Sequence, residues 1–254
     1  MFLGRRKNAH GWNDKVTNEL FLWKKLVDEE APKNGDLSGA QEEETGFWTS
    51  KVIGPFLESL DRLDRPSILD LGPVTNCNVS FYGEMGWKLY AYDLLQEYRE
   101  AVEETMAEDS EDGQAETDRP NPIEDILQQL NYEPGSLSGI LCWDVLDRLP
   151  LIWTRELVRR ISLALDEGGM ILSIFGMKGE TEVAENHRGF MIRDQNRLEP
   201  IPDKGRKLER FSYENGEIMS LFSGFKVLNF YVMKNNVREI LVQKQPQASL
   251  KVSV

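Results

Sequence analysis

A glycine and two acids follow two short apolar runs in the first half of the sequence. The run SILDLG contains Asp70 and Gly72, and the run KLYAYDL contains Asp93. A glycine turn after a strand lets backbone amides approach a ligand, and an acid about 20 residues later can accept hydrogen bonds from ribose hydroxyls. Because Gly72 and Asp93 have this relationship, we predict a nucleoside site at the carboxyl ends of two neighbouring strands.

Three further residues follow the apolar run SGIL and face the same predicted edge. They are Cys142, Trp143 and Asp144. Open α/β sheets bind ligands at the carboxyl ends of their strands. Two interpretations of Trp143 stay open, because it could wall the adenine or substrate pocket or pack in the core. We favour a role for Asp144 in orienting an acceptor over a purely local role in the next turn. We expect Asp147 and Arg148 to form a solvated pair.

Histidine and cysteine residues are too few and too scattered to form a catalytic triad or a zinc site. The chain contains only His10, His187, Cys77 and Cys142. We therefore predict no metal. His187 and its neighbour Arg188 are expected to form a surface pair in a polar loop, the alternative being that they reach over the mouth of the site.

Composition limits the class of protein and of partner. The chain has 254 residues, is 40% hydrophobic and 29% charged, and carries a formal net charge of −13. This favours one α/β core, and the negative charge disfavours nucleic acids and anionic membranes as partners. No apolar run reaches the ~18 residues of a membrane span, and the basic N-terminus lacks the apolar run of a secretory signal. We expect a cytoplasmic protein; the sequence does not indicate its oligomeric state.

Periodicity places helices and strands in alternation. Amphipathic helices are predicted at 12–30 and 47–63, with a kink at Pro55, and further helices at 96–106, 121–130 and 154–169, the last closed by a glycine pair. An acidic loop is expected at 108–118. Residues 1–66 are interpreted as a helical cap and linker, and 67–254 as an α/β domain with an insertion at about 176–210. Short strands are predicted in that insertion at GFMIR and KLERF, and a hairpin turning at Asn235-Asn236 ends the domain.

The order of the runs resembles the class I S-adenosylmethionine-dependent methyltransferases between about residues 67 and 244. The runs are LDLG, YAYDL, SLSGILCWDVLDRLP, ALDEGGMILSIFG, SGFKVLNF and REILVQK. The resemblance implies a Rossmann-like, seven-stranded, mostly parallel sheet with an antiparallel last strand, flanked by helices. It also implies S-adenosyl-L-methionine as the cofactor and a small molecule or a protein side chain as the substrate.

The resemblance further implies a set of site residues. Asp144 would serve catalysis, and the cofactor would be held by Asp70, Gly72, Pro73, Asn76, Asp93, Leu94, Asp125, Cys142 and Trp143. Asp125 enters this set as the nearest acid to the third strand that the family has, expected here between Asp93 and Gly139.

The glycine loop departs from the family pattern and leaves two functions open. The family usually has Gly-x-Gly-x-Gly, whereas this chain has Gly72-Pro73-Val74-Thr75-Asn76. Valine disfavours a positive φ and adds bulk where backbone and cofactor would meet, whereas Asn76 and Asn78 could cap the next helix or bind a ligand. The first hypothesis is a methyltransferase of unknown acceptor. The alternative is a catalytically inactive, methyltransferase-like binding or scaffold protein.

Overall fold

The computed structural model describes residues 47–112, 122–176, 187–203, 205, 208–233 and 237–246. The chain divides into two compact units, Met1–Thr45 and Gly46–Val254. The helix predicted at 12–30 and the turn at Asn235-Asn236 lie outside the described residues. Every element below belongs to the second unit.

The described chain contains nine strands and six α-helices. The strands are β1 (Trp48–Thr49), β2 (Ser67–Asp70), β3 (Lys88–Ala91), β4 (Leu137–Leu141), β5 (Leu165–Phe175), β6 (His187–Ile192), β7 (Arg197–Pro202), β8 (Phe225–Val232) and β9 (Arg238–Lys244). The helices are α1 (Ile53–Asp61), α2 (Asn76–Glu84), α3 (Leu94–Asp112), α4 (Pro122–Gln129), α5 (Leu151–Ala164) and α6 (Asn215–Leu221), with a 3-10 turn at Leu146–Arg148.

Six strands form the main sheet in the order β3-β2-β4-β5-β9-β8. Strands β3, β2, β4 and β5 are parallel, whereas β9 lies between β5 and β8 and is antiparallel to both. The predicted α/β class and the antiparallel last strand are confirmed. The described residues place six strands in this sheet, not seven, and the described chain between Asp93 and Gly139 forms helices α3 and α4 where a third strand was expected.

Apolar side chains cover both faces of the central strands, as expected for parallel strands between two helical layers. Leu69 of β2 and Ile140 of β4 point into one core, which also contains residues of α4, α5 and α6. Their neighbours Ile68 and Leu141 point into the other core with residues of α1. Successive side chains alternate between faces, so short continuous apolar runs fill both cores.

A second, three-stranded antiparallel sheet in the order β1-β7-β6 lies beside the main sheet. The prediction of GFMIR as a strand is confirmed by β6. The prediction of KLERF is wrong for its described part, 208–211, which forms no strand, and the partner of β6 is instead β7. The helix predicted at 47–63 begins only at Ile53, because Trp48 and Thr49 pair with β7, and Pro55 lies in its first turn, where proline is tolerated.

Two helix ends also differ from the prediction. Helix α5 ends at Ala164, and Leu165 begins β5, so the glycine pair Gly168-Gly169 lies within the strand segment and does not close the helix. Gly168 has φ +80°, a left-handed conformation that glycine adopts readily. Helix α3 runs through to Asp112, well into the acidic stretch that was expected to be a loop.

A buried glutamate on β9 connects the main sheet to the segment around β1. Glu239 is fully buried and accepts hydrogen bonds from Trp48 Nε1 at 2.7 Å, Ser50 Oγ at 3.2 Å and Lys51 N at 2.6 Å. Burial raises the pKa of Glu239, and these donors oppose the rise. The three bonds therefore fix the chain that leads into α1.

Substitution of this glutamate should destabilise the fold. Glu239→Ala leaves the indole N–H and the Lys51 amide without their acceptor, so we expect a loss of about 2–4 kcal/mol in the free energy of unfolding, measured by urea titration. Glu58→Ala, at an exposed position of α1, is the control and should change stability by less than about 0.5 kcal/mol. An unchanged urea midpoint for Glu239→Ala would contradict this role.

Candidate functional site

The residues predicted from the first two runs meet at one edge of the main sheet. Asp70 ends β2 and is in register with Ala91, the last residue of β3, and with Leu141, the last residue of β4. Asp93 follows β3 by two residues, and Trp143 follows β4 by two residues. Parallel strands end at a common edge, so residues far apart in the sequence are brought together there.

The carboxylate of Asp70 is buried and hydrogen-bonded within the chain. Its Oδ1 accepts hydrogen bonds from Gly72 N at 2.9 Å and from Trp143 Nε1 at 2.6 Å. Burial raises the pKa of Asp70 to about 6, although both donors favour the charged form and oppose the rise. The acid that the resemblance assigns to the cofactor loop therefore already has two partners in this chain.

The side chain of Trp143 occupies the space next to Gly72. Trp143 is fully buried, and a Cβ atom added at Gly72 would lie 2.4 Å from its Cδ1 and 2.8 Å from its Nε1. The indole also packs against the ring of Phe190, with 5.7 Å between the centroids. The structure therefore places Trp143 in the core, which is one of the two interpretations that the sequence left open.

The turn that replaces the glycine loop uses ordinary backbone conformations. Val74 is not among the residues with positive φ and its side chain is 60% exposed, so its bulk points away from the sheet. Thr75 caps α2, because its Oγ1 accepts a hydrogen bond from Asn78 N at 3.1 Å. The expectation that Asn76 or Asn78 provides this cap is wrong: Asn76 is exposed at the first position of the helix.

The antiparallel pair formed by β6 and β7, called the hairpin below, covers this turn. Asn78 is buried, and its side chain donates to Phe190 O at 3.0 Å and accepts from Ile192 N at 2.8 Å. A Cβ atom added at Gly189 would lie 2.6 Å from Pro73 Cδ, so the hairpin backbone rests directly on the turn. The fixed asparagine amide thus binds the hairpin in place of a ligand.

Apolar contacts hold the middle of the hairpin. Phe190, Ile192 and Leu198 are each at most 1% exposed, and the ring of Phe190 packs against Trp48 and Trp143. Exposing one such side chain costs about 1.5–3 kcal/mol. Lifting the hairpin from the edge would therefore cost several times the thermal energy.

Two ion pairs hold the open end of the hairpin, where β6 begins and β7 ends, to Asp93 and to α3. Arg188 Nη1 lies 3.0 Å from Asp93 Oδ2, and Arg99 Nη2 lies 2.9 Å from Asp203 Oδ2. Gln96 Oε1 accepts hydrogen bonds from Arg99 at 2.8 Å and from Arg188 at 3.4 Å. The acid expected to hold the ribose is therefore paired with a guanidinium, and although burial raises the pKa of Asp93, Arg188 opposes the rise.

The expectation of a surface pair at His187 and Arg188 is wrong. His187 is 5% exposed, and its Nε2 lies 3.6 Å from Asp144 Oδ2. The alternative interpretation is the one that agrees with the structure, because Arg188 reaches across the edge of the sheet to Asp93.

A buried cluster of charges follows β4. Asp144 Oδ2 lies 3.1 Å from Arg210 Nη2 and 3.4 Å from Arg148 Nη2, and Arg210 Nη1 also pairs with Asp147. Burial raises the pKa of Asp144, but His187, Arg210 and Arg148 outweigh that effect and hold the pKa below its usual value. The expectation of a solvated pair is wrong, since Asp147 is fully buried and Arg148 is 6% exposed.

The other predicted site residues lie apart from a common pocket. Leu94 is fully buried at the start of α3, and Cys142 is fully buried after β4, where burial raises the pKa of its thiol to about 12. Asp125 is exposed in the first turn of α4, which packs against α3 and α5. Asp144, expected to orient an acceptor, has its charge balanced by two arginines.

Sequence reasoning did not identify the residues that close the site. Arg210 is 63 residues from Asp147, and Phe190 is 112 residues from the asparagine that binds its carbonyl. The only local signal was the histidine-arginine pair at 187–188. Its position in a polar stretch favoured the surface interpretation.

S-adenosylmethionine does not fit the site residues in this conformation. The indole of Trp143 fills the space beside Gly72, and Arg188 forms an ion pair with the carboxylate of Asp93. Two surface clefts, of about 400 and 560 Å³, lie elsewhere and are lined by α4 and α5 residues and by residues around β1 and the end of β8. Within the described residues, no cluster of three or more acids, histidines or cysteines could hold a metal ion, and no helix has the length and apolarity to cross a membrane.

Comparisons with known proteins find similarity only to solved structures. No protein-family model and no curated protein sequence matches the chain. A S-adenosylmethionine-dependent methyltransferase from Methanosarcina mazei is 14% identical, with a TM-score of 0.43, covering 75% of this chain and 97% of that one.

Two further similar structures contain a bound cofactor or its product. The 1,6-didemethyltoxoflavin-N1-methyltransferase of Burkholderia thailandensis, with S-adenosylhomocysteine bound, is 13% identical, covers 96% of this chain and 94% of that one, and gives a TM-score of 0.42. The magnesium protoporphyrin IX methyltransferase of Synechocystis PCC 6803, with S-adenosylmethionine bound, is 12% identical. The match covers 94% of this chain and 100% of that one, with a TM-score of 0.41. Likenesses this distant assign no activity to the chain.

The raised pKa of Asp70 predicts a pH-dependent contribution to stability. Between the unfolded value near 3.9 and the folded value of about 6, the folded state binds more protons, so the free energy of unfolding falls as pH rises through this window. Asp70→Asn removes this titration and can still accept both hydrogen bonds. We expect the variant to be more stable than the wild type at pH 7.5, by at most about 3 kcal/mol, but not at pH 4.5.

Urea unfolding between pH 4.5 and 7.5 measures this difference. The exposed Asp61→Asn variant is the control and should follow the wild-type profile. Parallel profiles for the wild type and Asp70→Asn would show that Asp70 does not titrate in this range.

Proposed function

We propose that this chain is a methyltransferase-like protein that acts by binding a partner and does not catalyse methyl transfer. The observation that carries the proposal is the closure of the predicted cofactor edge by the chain's own hairpin. Arg188 pairs with Asp93, Trp143 pairs with Asp70, and the backbone at Gly189 rests on Pro73. The two acids and the turn expected to hold a nucleoside thus already have contacts within the chain.

The energetics of this closure support a permanent arrangement over a transient one. Three apolar side chains of the hairpin are buried, and two ion pairs hold its open end to Asp93 and to α3. A cofactor would have to displace both sets of contacts and to move the buried indole. Part of the free energy of cofactor binding would be needed for that displacement, so the apparent affinity for the cofactor would fall.

The charges that follow β4 also support a non-catalytic role. Asp144 and Asp147 are balanced by Arg148 and Arg210 in a buried cluster. A carboxylate that is held by two guanidinium groups is a poor proton acceptor, because the positive charges stabilise its ionised form. This cluster suits a structural role at the edge of the sheet.

The partner is expected to be a protein or a small molecule, and the cytoplasm is the proposed compartment. With a net charge of −13, the chain would repel polyanions, which makes nucleic acids and anionic membranes unfavourable partners.

A second candidate function is a S-adenosylmethionine-dependent methyltransferase of unknown acceptor. The observation in its favour is that Asp70, Gly72 and Asp93 stand at the ends of adjacent parallel strands, where the resemblance expects them. This function requires a different conformation, in which Arg188 leaves Asp93 and the indole of Trp143 leaves the space beside Gly72.

Calorimetric titration with S-adenosylhomocysteine distinguishes the two candidates. We expect no saturable heat for the wild-type protein at millimolar ligand, because the groups that would bind the nucleoside are paired within the chain. Circular dichroism of the same sample verifies that the protein is folded.

The Asp93→Asn variant supplies the matched control. Micromolar binding by the wild type that is lost in Asp93→Asn would refute the non-catalytic proposal and establish the second candidate. Such a result would also show that Arg188 can be displaced.

A further inference from the structure

We propose that Trp143 is an internal ligand, which excludes nucleosides from the edge of the sheet by occupying their place. This inference rests on the proposed function and assigns the exclusion to one side chain. The ligand class that Trp143 excludes is a flat aromatic heterocycle bearing an N–H donor, with or without an attached ribose.

The backbone of Trp143 indicates that its position is imposed by its contacts. Its φ is +29°, in the region that bulky side chains rarely adopt, and Arg65 is the only other non-glycine residue with positive φ among the described residues. Such strain persists only where the surrounding structure over-determines the conformation. The contacts that hold Trp143 must therefore outweigh the cost of its backbone.

Those contacts are the ones that a bound heterocycle would make. The indole N–H donates to Asp70 Oδ1 at 2.6 Å, one edge of the ring lies against the backbone at Gly72, and Phe190 packs beside it. A buried carboxylate, a glycine surface and an aromatic neighbour together suit a flat ring with an N–H group. The pocket therefore has the chemistry of a base-binding site and is filled by the chain itself.

Arg188 completes the exclusion by pairing with Asp93, the acid that follows the neighbouring strand β3. Its guanidinium lies 3.0 Å from Asp93 Oδ2, and its side chain is 28% exposed, so it is the more accessible part of the closure. An acid at this position would otherwise accept hydrogen bonds from ribose hydroxyls. Removal of Arg188 should therefore matter only for ligands that carry a ribose.

The test replaces Trp143 with a smaller residue to create a cavity, and then adds small aromatic compounds that could bind in that cavity. Trp143→Gly removes the indole and relieves the positive φ, and Trp143→Asn is a second variant, since asparagine tolerates this conformation and keeps an N–H donor for Asp70. Thermal unfolding of both variants and of the wild type is measured with indole, adenine and adenosine. Indole reports whether the cavity forms, as apolar cavities left by large-to-small substitutions can bind small aromatic molecules.

We expect both variants to melt at a lower temperature than the wild type and to be stabilised by all three compounds. A ligand at about ten times its Kd should raise the melting temperature by about 3–5 °C, whereas the wild type should not shift. Adding Arg188→Gln to Trp143→Asn should tighten adenosine binding several-fold and leave adenine binding unchanged. Arg193→Gln, at a half-exposed hairpin position away from Asp93, is the matched control and should leave adenosine binding unchanged.

The possible outcomes separate this proposal from the proposed function. Rescue by indole without rescue by adenine or adenosine would overturn the inference while leaving the wild type closed. A folded variant that binds none of the three would overturn it as well, because the cavity has then collapsed. Adenosine or S-adenosylhomocysteine binding by the wild type would refute the proposed function itself.

Discussion

One hydrogen bond at the carboxyl edge of the main sheet, from Trp143 Nε1 to Asp70 Oδ1 at 2.6 Å, supports the rest of the closed site. A buried carboxylate needs donors, since desolvation without compensation is costly. The indole of Trp143 supplies such a donor, and this hydrogen bond fixes the ring beside Gly72. Phe190 then packs against the indole. The middle of the hairpin therefore depends on a polar contact that lies beneath it.

Two kinds of force act on the same edge, at different places along the hairpin. Apolar burial holds the hairpin between its open end and its turn, and the ion pairs with Asp93 and Arg99 hold the open end. Buried or half-buried ion pairs contribute little net energy themselves, but removing one partner leaves a charge without compensation. The arrangement thus favours one position of the hairpin.

The sequence predicted what depends on local pattern and missed what depends on distant partners. The parallel strands β2 to β5 were predictable, because short apolar runs between turns are typical of buried parallel strands, whereas β1 and β7 were not predicted. The position of Trp143 was not, since an aromatic residue after a strand is compatible with either a pocket wall or the core. Asp147 and Arg148 looked solvated because charged residues beside a turn usually are. In the structure Asp147 pairs with Arg210, 63 residues later, and Arg148 donates to distant backbone carbonyls. The seventh strand was expected only from the resemblance, whereas the helix predicted at 121–130 is present as α4 in the stretch where that strand was expected.

The position of β9 has a consequence for synthesis of the chain. Of the strands in the main sheet, β9 is the last to be synthesised, yet it lies between β5 and β8 and pairs with both. Until it emerges, β8 has no neighbour in the sheet and Trp48 lacks its acceptor on Glu239, 191 residues away. Contacts this distant in sequence slow folding and leave strand edges unpaired in the meantime. The main sheet is therefore complete only once Arg238–Lys244 have been synthesised, and a chain truncated before residue 238 would leave the edge of β5 unpaired.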